Sequence, residues 1–133
     1  MIGGQDLYFL GFPYGQSTDH GNLLNNFPFP FVKKAILSAI TGGNQGVSLL
    51  FLDGHNNPGF SGGPIVFSSQ DKKEYKVAGV ISGFNTIEEP VLIGGKLTVM
   101  TWMYNTRIII GYDIKYAVEA IPSNPIGYPF CAS

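Results

Sequence analysis

Residues 52 to 66 read Leu52-Asp-Gly-His-Asn-Asn-Pro-Gly-Phe-Ser-Gly-Gly-Pro-Ile-Val66 and set one serine among glycines just before an apolar run. Gly, Pro, Asn and Ser dominate tight turns of every kind, so composition alone fits a plain connection between two strands. The same residues also suit a nucleophilic hydroxyl, because Gly59 permits unusual dihedral angles and the glycines after Ser61 let a substrate backbone come close. Both interpretations place a strand directly after this loop.

Short apolar runs on both sides of this loop are separated by Gly and Pro, which predicts an all-β barrel or sandwich. A polar segment at residues 69 to 74 predicts an exposed hairpin loop between two of the runs. Whether the strand that begins at Lys96 ends at Tyr104 or continues through a bend to Ile110 is left open. The predicted strands are Leu7–Phe12, Phe31–Ile40, Val47–Leu52, Pro64–Ser68, Tyr75–Ser82 and Lys96–Tyr104.

Only residues 113 to 121 carry a helical pattern. Apolar side chains recur there at i, i+3, i+4 and i+7, which predicts one short helix packed on the barrel and ended by Pro122. Residues 122 to 133 form a Pro/Gly-rich tail for which we expect no regular structure. The stripe consists of Ile114, Ala117, Val118 and Ile121.

Composition limits both the size of the fold and its partners. The chain has 133 residues, 44% hydrophobic and 13% charged, which is enough for one core and predicts a single domain over residues 1 to 133. A net charge of -1 leaves no basic surplus to neutralise phosphates, so we expect no nucleic-acid partner. Apolar runs fall far short of the roughly 18 residues of a membrane span, and we expect none.

Cysteine and the potential metal ligands are equally sparse. Cys131 is the single cysteine, so no internal disulfide can form, and it lacks the surroundings of a catalytic thiol. No set of Cys, His, Asp and Glu has metal-ligand spacing, and we expect neither a metal nor a cofactor. The chain opens abruptly, without a signal segment, which suggests a truncated polypeptide and leaves the cellular compartment open.

The segment Asn57-Pro-Gly-Phe-Ser-Gly-Gly-Pro64 resembles the nucleophile motif of trypsin/chymotrypsin-like serine proteases, especially the bacterial HtrA-like and trypsin-like peptidase domains. Three further segments resemble the same family in the same order. Phe9-Leu-Gly-Phe-Pro-Tyr-Gly15 is similar to the strand that opens the second barrel, and Val77-Ala-Gly-Val-Ile-Ser-Gly83 to its substrate-lining strand. Ile110-Gly-Tyr-Asp-Ile114 is similar to the closing Gly-Tyr/Phe-Ala-Ile-Pro.

The last of these segments departs from the family, because Asp113 and Lys115 replace the usual Ala and Pro. The likeness covers about residues 5 to 121. It implies a six-stranded antiparallel Greek-key β-barrel of the trypsin type with one short C-terminal helix, corresponding to the second, C-terminal barrel of a two-barrel protease.

The resemblance also implies roles for individual residues. Ser61 would be the nucleophile, and the N–H groups of Gly59 and Ser61 would form the oxyanion hole. Ser82 and Gly83 would pair with the substrate backbone. The pocket for the side chain before the scissile bond would be lined by residues His55 to Pro58, which include Asn57, and by the strand Ser82 to Asn85. His55 and Phe84 would shape it.

The rest of the catalytic triad has no place in this chain. In the family, the His and Asp come from the first barrel and precede the nucleophile by more than the roughly 60 residues available here. His20 lies in a polar loop, where a solvated histidine is the simpler interpretation. His55 is six residues from Ser61 and is expected in the pocket wall, where its protonated form would accept an acidic substrate side chain.

Two consequences follow for activity. Without a base to take its proton, Ser61 is a weak nucleophile, so the chain alone should be nearly inert toward amides. Phe60 stands where pancreatic relatives have an Asp that pairs with a newly cut N-terminus, so activation by that ion pair is not available.

Three functions therefore stay open. The first is a serine endopeptidase module that needs the missing N-terminal barrel. The second is a non-catalytic remnant or peptide-binding β-barrel, and the third is a structural or interaction domain. The expected partners are a peptide or protein substrate and either the missing barrel or a second copy, because half of a two-barrel protease leaves an apolar barrel face uncovered.

Overall fold

The computed structural model describes residues 1 to 18, 28 to 42, 46 to 69 and 74 to 123. Strands account for most of these residues, and a 3-10 turn at Pro13–Gly15 follows the first of them. One helix, α1, spans Ile114–Ser123. The six strands are β1 (Asp6–Gly11), β2 (Phe31–Thr41), β3 (Leu49–Asp53), β4 (Pro64–Ser68), β5 (Tyr75–Ile93) and β6 (Lys96–Asp113).

All strand pairs are antiparallel, and the prediction of an all-β chain with six strands and one short helix is confirmed. The sheet order is β1-β2-β3-β6-β5-β4, and β4 pairs back on β1, so that the ladders form a closed ring. The β1–β4 seam contains two residue pairs, Tyr8 with Val66 and Phe9 with Ile65. This seam is the shortest ladder of the ring.

The core lies inside the ring because apolar residues alternate with exposed ones along the strands. Leu7 and Phe9 on β1 are fully buried, as are Leu50 and Leu52 on β3, and side chains two residues apart point to the same face of a strand. Burial of each large side chain contributes about 1.5–3 kcal/mol. The other buried apolar residues are Ala35, Leu37, Phe60, Ile65, Ala78, Ile81 and Ile109.

The largest departure from the predicted strands is a long hairpin. β5 runs to Ile93 rather than ending at Ser82, and β6 ends at Asp113 rather than at Tyr104 or Ile110. Residues 86–93 and 96–105, here named the β5–β6 arm, pair with each other beyond the ladders to β3 and β4. Gly94 and Gly95 turn the arm with φ of +58° and +78°, values that suit glycine.

The helix begins one residue later than the predicted residue 113 and ends two residues later than the predicted residue 121. The N–H of Lys115 donates to Asp113 Oδ1 at 3.0 Å, which caps the first turn. Pro122 does not end the helix, which continues to Ser123, so the first two residues of the predicted irregular tail are helical. Residues 124 to 133 of that tail, including Cys131, lie outside the described residues. Within the described ranges, no helix is long and apolar enough to cross a membrane.

Candidate functional site

Ser61 lies on the loop between β3 and β4, at the surface of the ring. Its side chain is exposed, whereas its neighbour Phe60 is fully buried in the core. The ring of Phe60 packs edge-on against Phe9, with 5.1 Å between ring centroids. The buried phenyl group therefore anchors the loop to the core and leaves the adjacent hydroxyl facing solvent.

Two glycines of this loop are required by close backbone contacts. Gly59 has a φ of +104°, and a Cβ at this position would lie 2.1 Å from the carbonyl oxygen of Phe12. A Cβ at Gly63 would lie 1.9 Å from the carbonyl oxygen of Leu10. Both distances are well inside van der Waals contact, so the end of β1 packs against main chain on both sides of Ser61.

Main-chain hydrogen bonds hold the loop between β1 and β5. The N–H of Phe12 donates to the Gly59 carbonyl at 3.0 Å, and the N–H of Gly62 donates to the Ile81 carbonyl at 2.8 Å. The N–H of Ile81 returns a bond to Gly63 at 2.9 Å. In the described part of the chain, the N–H groups of Gly59 and Ser61 donate no main-chain hydrogen bond. Among the residues that the structure describes, neither donor has a main-chain acceptor.

A mainly apolar cavity of about 420 Å³ opens beside Ser61. Phe12, Pro30, Gly59 and Ser61 are among the residues that line it. A space of this size accommodates one or two amino-acid side chains.

Lys33 is a residue of the site that the sequence analysis did not single out. Its Nζ donates to the His55 carbonyl at 3.0 Å and to Asn57 Oδ1, and lies 5.2 Å from the centroid of the Phe60 ring. Partial burial lowers the pKa of Lys33 from its ordinary value. The missed signal was its position on β2, two residues before the buried Ala35 and therefore on the inward face.

Asn57 has structural partners on two sides. Its Oδ1 accepts from Lys33, and its Nδ2 donates to the Tyr14 hydroxyl at 3.4 Å. Asn56 is 1% exposed, and its side-chain amide has no hydrogen-bond partner among the described residues. Its main-chain carbonyl accepts from Asn105 Nδ2 at 3.0 Å. The segment before Ser61 is thus fixed by β2, β6 and the turn after β1.

The other predicted site residues lie on nearby elements. His55 is exposed in the loop after β3, and Ser82 is exposed on β5, followed by the half-buried Gly83 and Phe84. The bonds between Ile81 and the Ser61 loop bring this part of β5 alongside the hydroxyl. The proposed contacts of these residues with substrate stay predictions.

Of the two histidines, His20 falls outside the described residues, so its position relative to Ser61 is not addressed. No group of three or more His, Cys, Asp or Glu side chains with metal-binding geometry occurs within residues 1–18, 28–42, 46–69 and 74–123.

No family model, no curated protein and no solved structure matches the chain.

Proposed function

We propose that the chain is a trypsin-like serine endopeptidase module that carries the nucleophile Ser61 and is inactive without a companion barrel that supplies the His and Asp. The observation that carries this proposal is the exposed Ser61 hydroxyl on a loop whose shape depends on Gly59 at φ +104°. The N–H groups of residues 59 and 61 on the same loop, which have no main-chain acceptor among the described residues, support an oxyanion hole.

The strand order supports a barrel of the trypsin type. β1, β2 and β3 are neighbours in sequence and in the sheet, and β4 returns to pair with β1. This corresponds to the 4-1-2-3 order of a Greek key. Six strands in a closed ring fit the C-terminal barrel that the motif resemblance implies.

The proposed reaction begins with attack of Ser61 Oγ on the carbonyl carbon of a peptide bond. The hydroxyl proton passes to the histidine of the companion barrel, and the carbonyl oxygen becomes an oxyanion that accepts hydrogen bonds from the N–H groups of Gly59 and Ser61. The same histidine then protonates the leaving amine. The isolated chain lacks that base and retains only substrate binding and oxyanion stabilisation. Its rate of peptide-bond hydrolysis is therefore several orders of magnitude below that of the complete protease.

The test is labelling by a fluorophosphonate probe, which reacts with activated serine hydroxyl groups. In the longest natural polypeptide that contains this chain, we expect labelling that Ser61→Ala abolishes. Ser38→Ala is the control, because it removes an exposed hydroxyl on β2 that has no part in the proposed site and should leave labelling intact. Labelling that persists in Ser61→Ala, or none in the longer polypeptide, would contradict the proposal.

The cavity beside Ser61 favours one alternative, a peptide-binding domain without catalysis. Such a domain would use the apolar walls at Phe12 and Pro30 and would not need the hydroxyl. The same two variants separate the alternatives. If the chain is a peptide-binding domain, Ser61→Ala leaves its affinity for peptides unchanged. In that case the probe labels neither the wild-type protein nor any variant.

A further inference from the structure

One ammonium group contacts three of the residues that precede Ser61. Lys33 Nζ donates to the His55 carbonyl at 3.0 Å and to Asn57 Oδ1. It also lies 5.2 Å from the centroid of the Phe60 ring, a distance at which a cation is attracted to an aromatic face. Phe60 immediately precedes Ser61, so the contacts of this one side chain extend along the loop up to the candidate nucleophile.

The next lysine of β2 has different surroundings. Successive side chains of a strand point to opposite faces, and Lys34 forms an exposed ion pair with Asp6, with 2.8 Å between Nζ and Oδ2. Lys33, in contrast, is half-buried, and within the described ranges it forms no ion pair with a carboxylate. Its acceptors are a main-chain carbonyl and a side-chain amide, and both belong to the loop between β3 and β4.

The charge of Lys33 gives no net gain in overall stability. Partial burial removes water from the ammonium group and lowers the pKa of Lys33 from its ordinary value. The unfolded chain therefore holds this proton more tightly than the folded chain does, so protonation favours unfolding. The contacts of the ammonium group act locally, on the loop that contains its acceptors.

We propose that Lys33 is a positioning residue for the attack by Ser61, a role that rests on the proposed function. Its ammonium group holds residues 55–60 against β2 and thereby maintains the orientation of the Gly59 and Ser61 N–H groups and of the Ser61 hydroxyl. Lys33 itself makes or breaks no bond in the reaction. Its effect on the rate is nevertheless large, because misplacement of a reacting group by about 1 Å costs up to about 100-fold.

The rate of labelling by the fluorophosphonate probe tests this role in the longest natural polypeptide that contains the chain. Lys33→Met removes the ammonium group and keeps an apolar stem, and we expect labelling to slow by about tenfold or more. Lys33→Arg restores a charged group that donates to two acceptors, and it should recover the rate to within about threefold of the wild-type rate. The loss should appear in the maximal rate of labelling, because the geometry at the hydroxyl is what changes.

Lys34→Met is the matched control, since it removes the same group from the adjacent position of β2, and it should be labelled at the wild-type rate. Lys33→Gln is a second uncharged variant and should give the same result as Lys33→Met. The urea midpoints of the Lys33 variants should stay close to that of the wild-type protein, because the charge does not stabilise the fold as a whole.

Amide hydrogen exchange in the 133-residue chain reports on the loop without requiring activity. The N–H groups of Phe12 and Tyr14 donate to main-chain carbonyls of this loop. Both should exchange about tenfold faster in Lys33→Met than in the wild-type protein or in Lys34→Met, because the loop opens more often. The N–H of Leu37, which donates to a carbonyl elsewhere on the ring, should exchange at the wild-type rate.

The outcomes separate this role from the proposed function. Wild-type labelling that Lys33→Met leaves unchanged would overturn the role of Lys33 and leave the proposed function standing. A loss that Lys33→Arg does not restore, a loss shared by Lys34→Met, or faster exchange at Leu37 as well would also overturn it, because each would mean a general effect on the fold. A wild-type polypeptide without labelling would contradict the proposed function and the role of Lys33 together.

Discussion

Gly59 determines the shape of the Ser61 loop through a conformation that other residues resist. Its positive φ and its contact with the Phe12 carbonyl leave no room for a Cβ. Gly62 has a similar φ of +84°, but a Cβ at that position would meet no atom within 4 Å. A comparison of substitutions at the two glycines therefore separates the energetic cost of backbone strain from that of steric exclusion.

Gly59→Ala should lower the free energy of unfolding by about 3 kcal/mol, because strain and collision add. Gly62→Ala should cost about 1 kcal/mol, which is the strain alone. Urea denaturation followed by circular dichroism measures both. Equal losses in the two variants would mean that the Phe12 contact has no energetic weight.

The helix α1 is joined to β3 by a small polar cluster. Ser48, just before β3, is 6% exposed, and its N–H donates to the Tyr116 hydroxyl at 2.6 Å. The Ser48 hydroxyl contacts Asp113 Oδ2 at 3.1 Å, while the other oxygen of Asp113 caps the helix. One carboxylate thus starts the helix and orients it on the ring.

Asp113→Ala should destabilise the protein by about 1–2 kcal/mol, because it removes the cap and the partner of Ser48 together. Tyr116→Phe should cost about 1 kcal/mol by leaving a buried N–H unpaired. Asp53→Ala, at an exposed carboxylate on β3, is the control and should stay within about 0.5 kcal/mol of the wild-type protein. Thermal unfolding of the three variants gives the comparison, and a Tyr116→Phe variant as stable as Asp53→Ala would exclude the cluster as a contributor.

The existence of the strands and the bounds of β1, β2 and β4 were predictable from the sequence, whereas the length of the β5–β6 hairpin and the strand partners were not. The alternation in β1 and the Pro64 start of β4 are local signals, and both strands fall within one residue of their predicted bounds. Glu88-Glu89-Pro90 has the local composition of a loop. It is part of a strand because it pairs with β6, which local propensity does not show. Similarly, the glycine pattern indicated a special loop at Ser61, but the Lys33 contact depends on β2 lying beside that loop in the fold.

At the scale of the whole molecule, Phe60 connects the hydrophobic core to the candidate site. This residue is fully buried, contacts Phe9 and immediately precedes Ser61. Order in the loop therefore depends on the cooperative packing of the whole ring, in contrast to the arm, whose side chains lie outside the core.

Phe60→Ala should lower the free energy of unfolding by about 3–5 kcal/mol, because it leaves a cavity in the single core. Leu97→Ala removes an exposed apolar side chain of the arm, and in the monomer it should change stability by no more than about 0.5 kcal/mol. Urea denaturation at low protein concentration keeps association out of the comparison. A small effect of Phe60→Ala would mean that the loop folds independently of the ring.

The turn after β1 gives the molecule a mechanical connection to its candidate nucleophile. The N–H groups of Phe12 and Tyr14 donate to the carbonyls of Gly59 and Pro58, and the Tyr14 hydroxyl accepts from Asn57. Tyr14 is itself 68% exposed, so it is within reach of any neighbouring domain. Displacement of that ring would therefore be transmitted through these three hydrogen bonds to the backbone on the N-terminal side of Ser61.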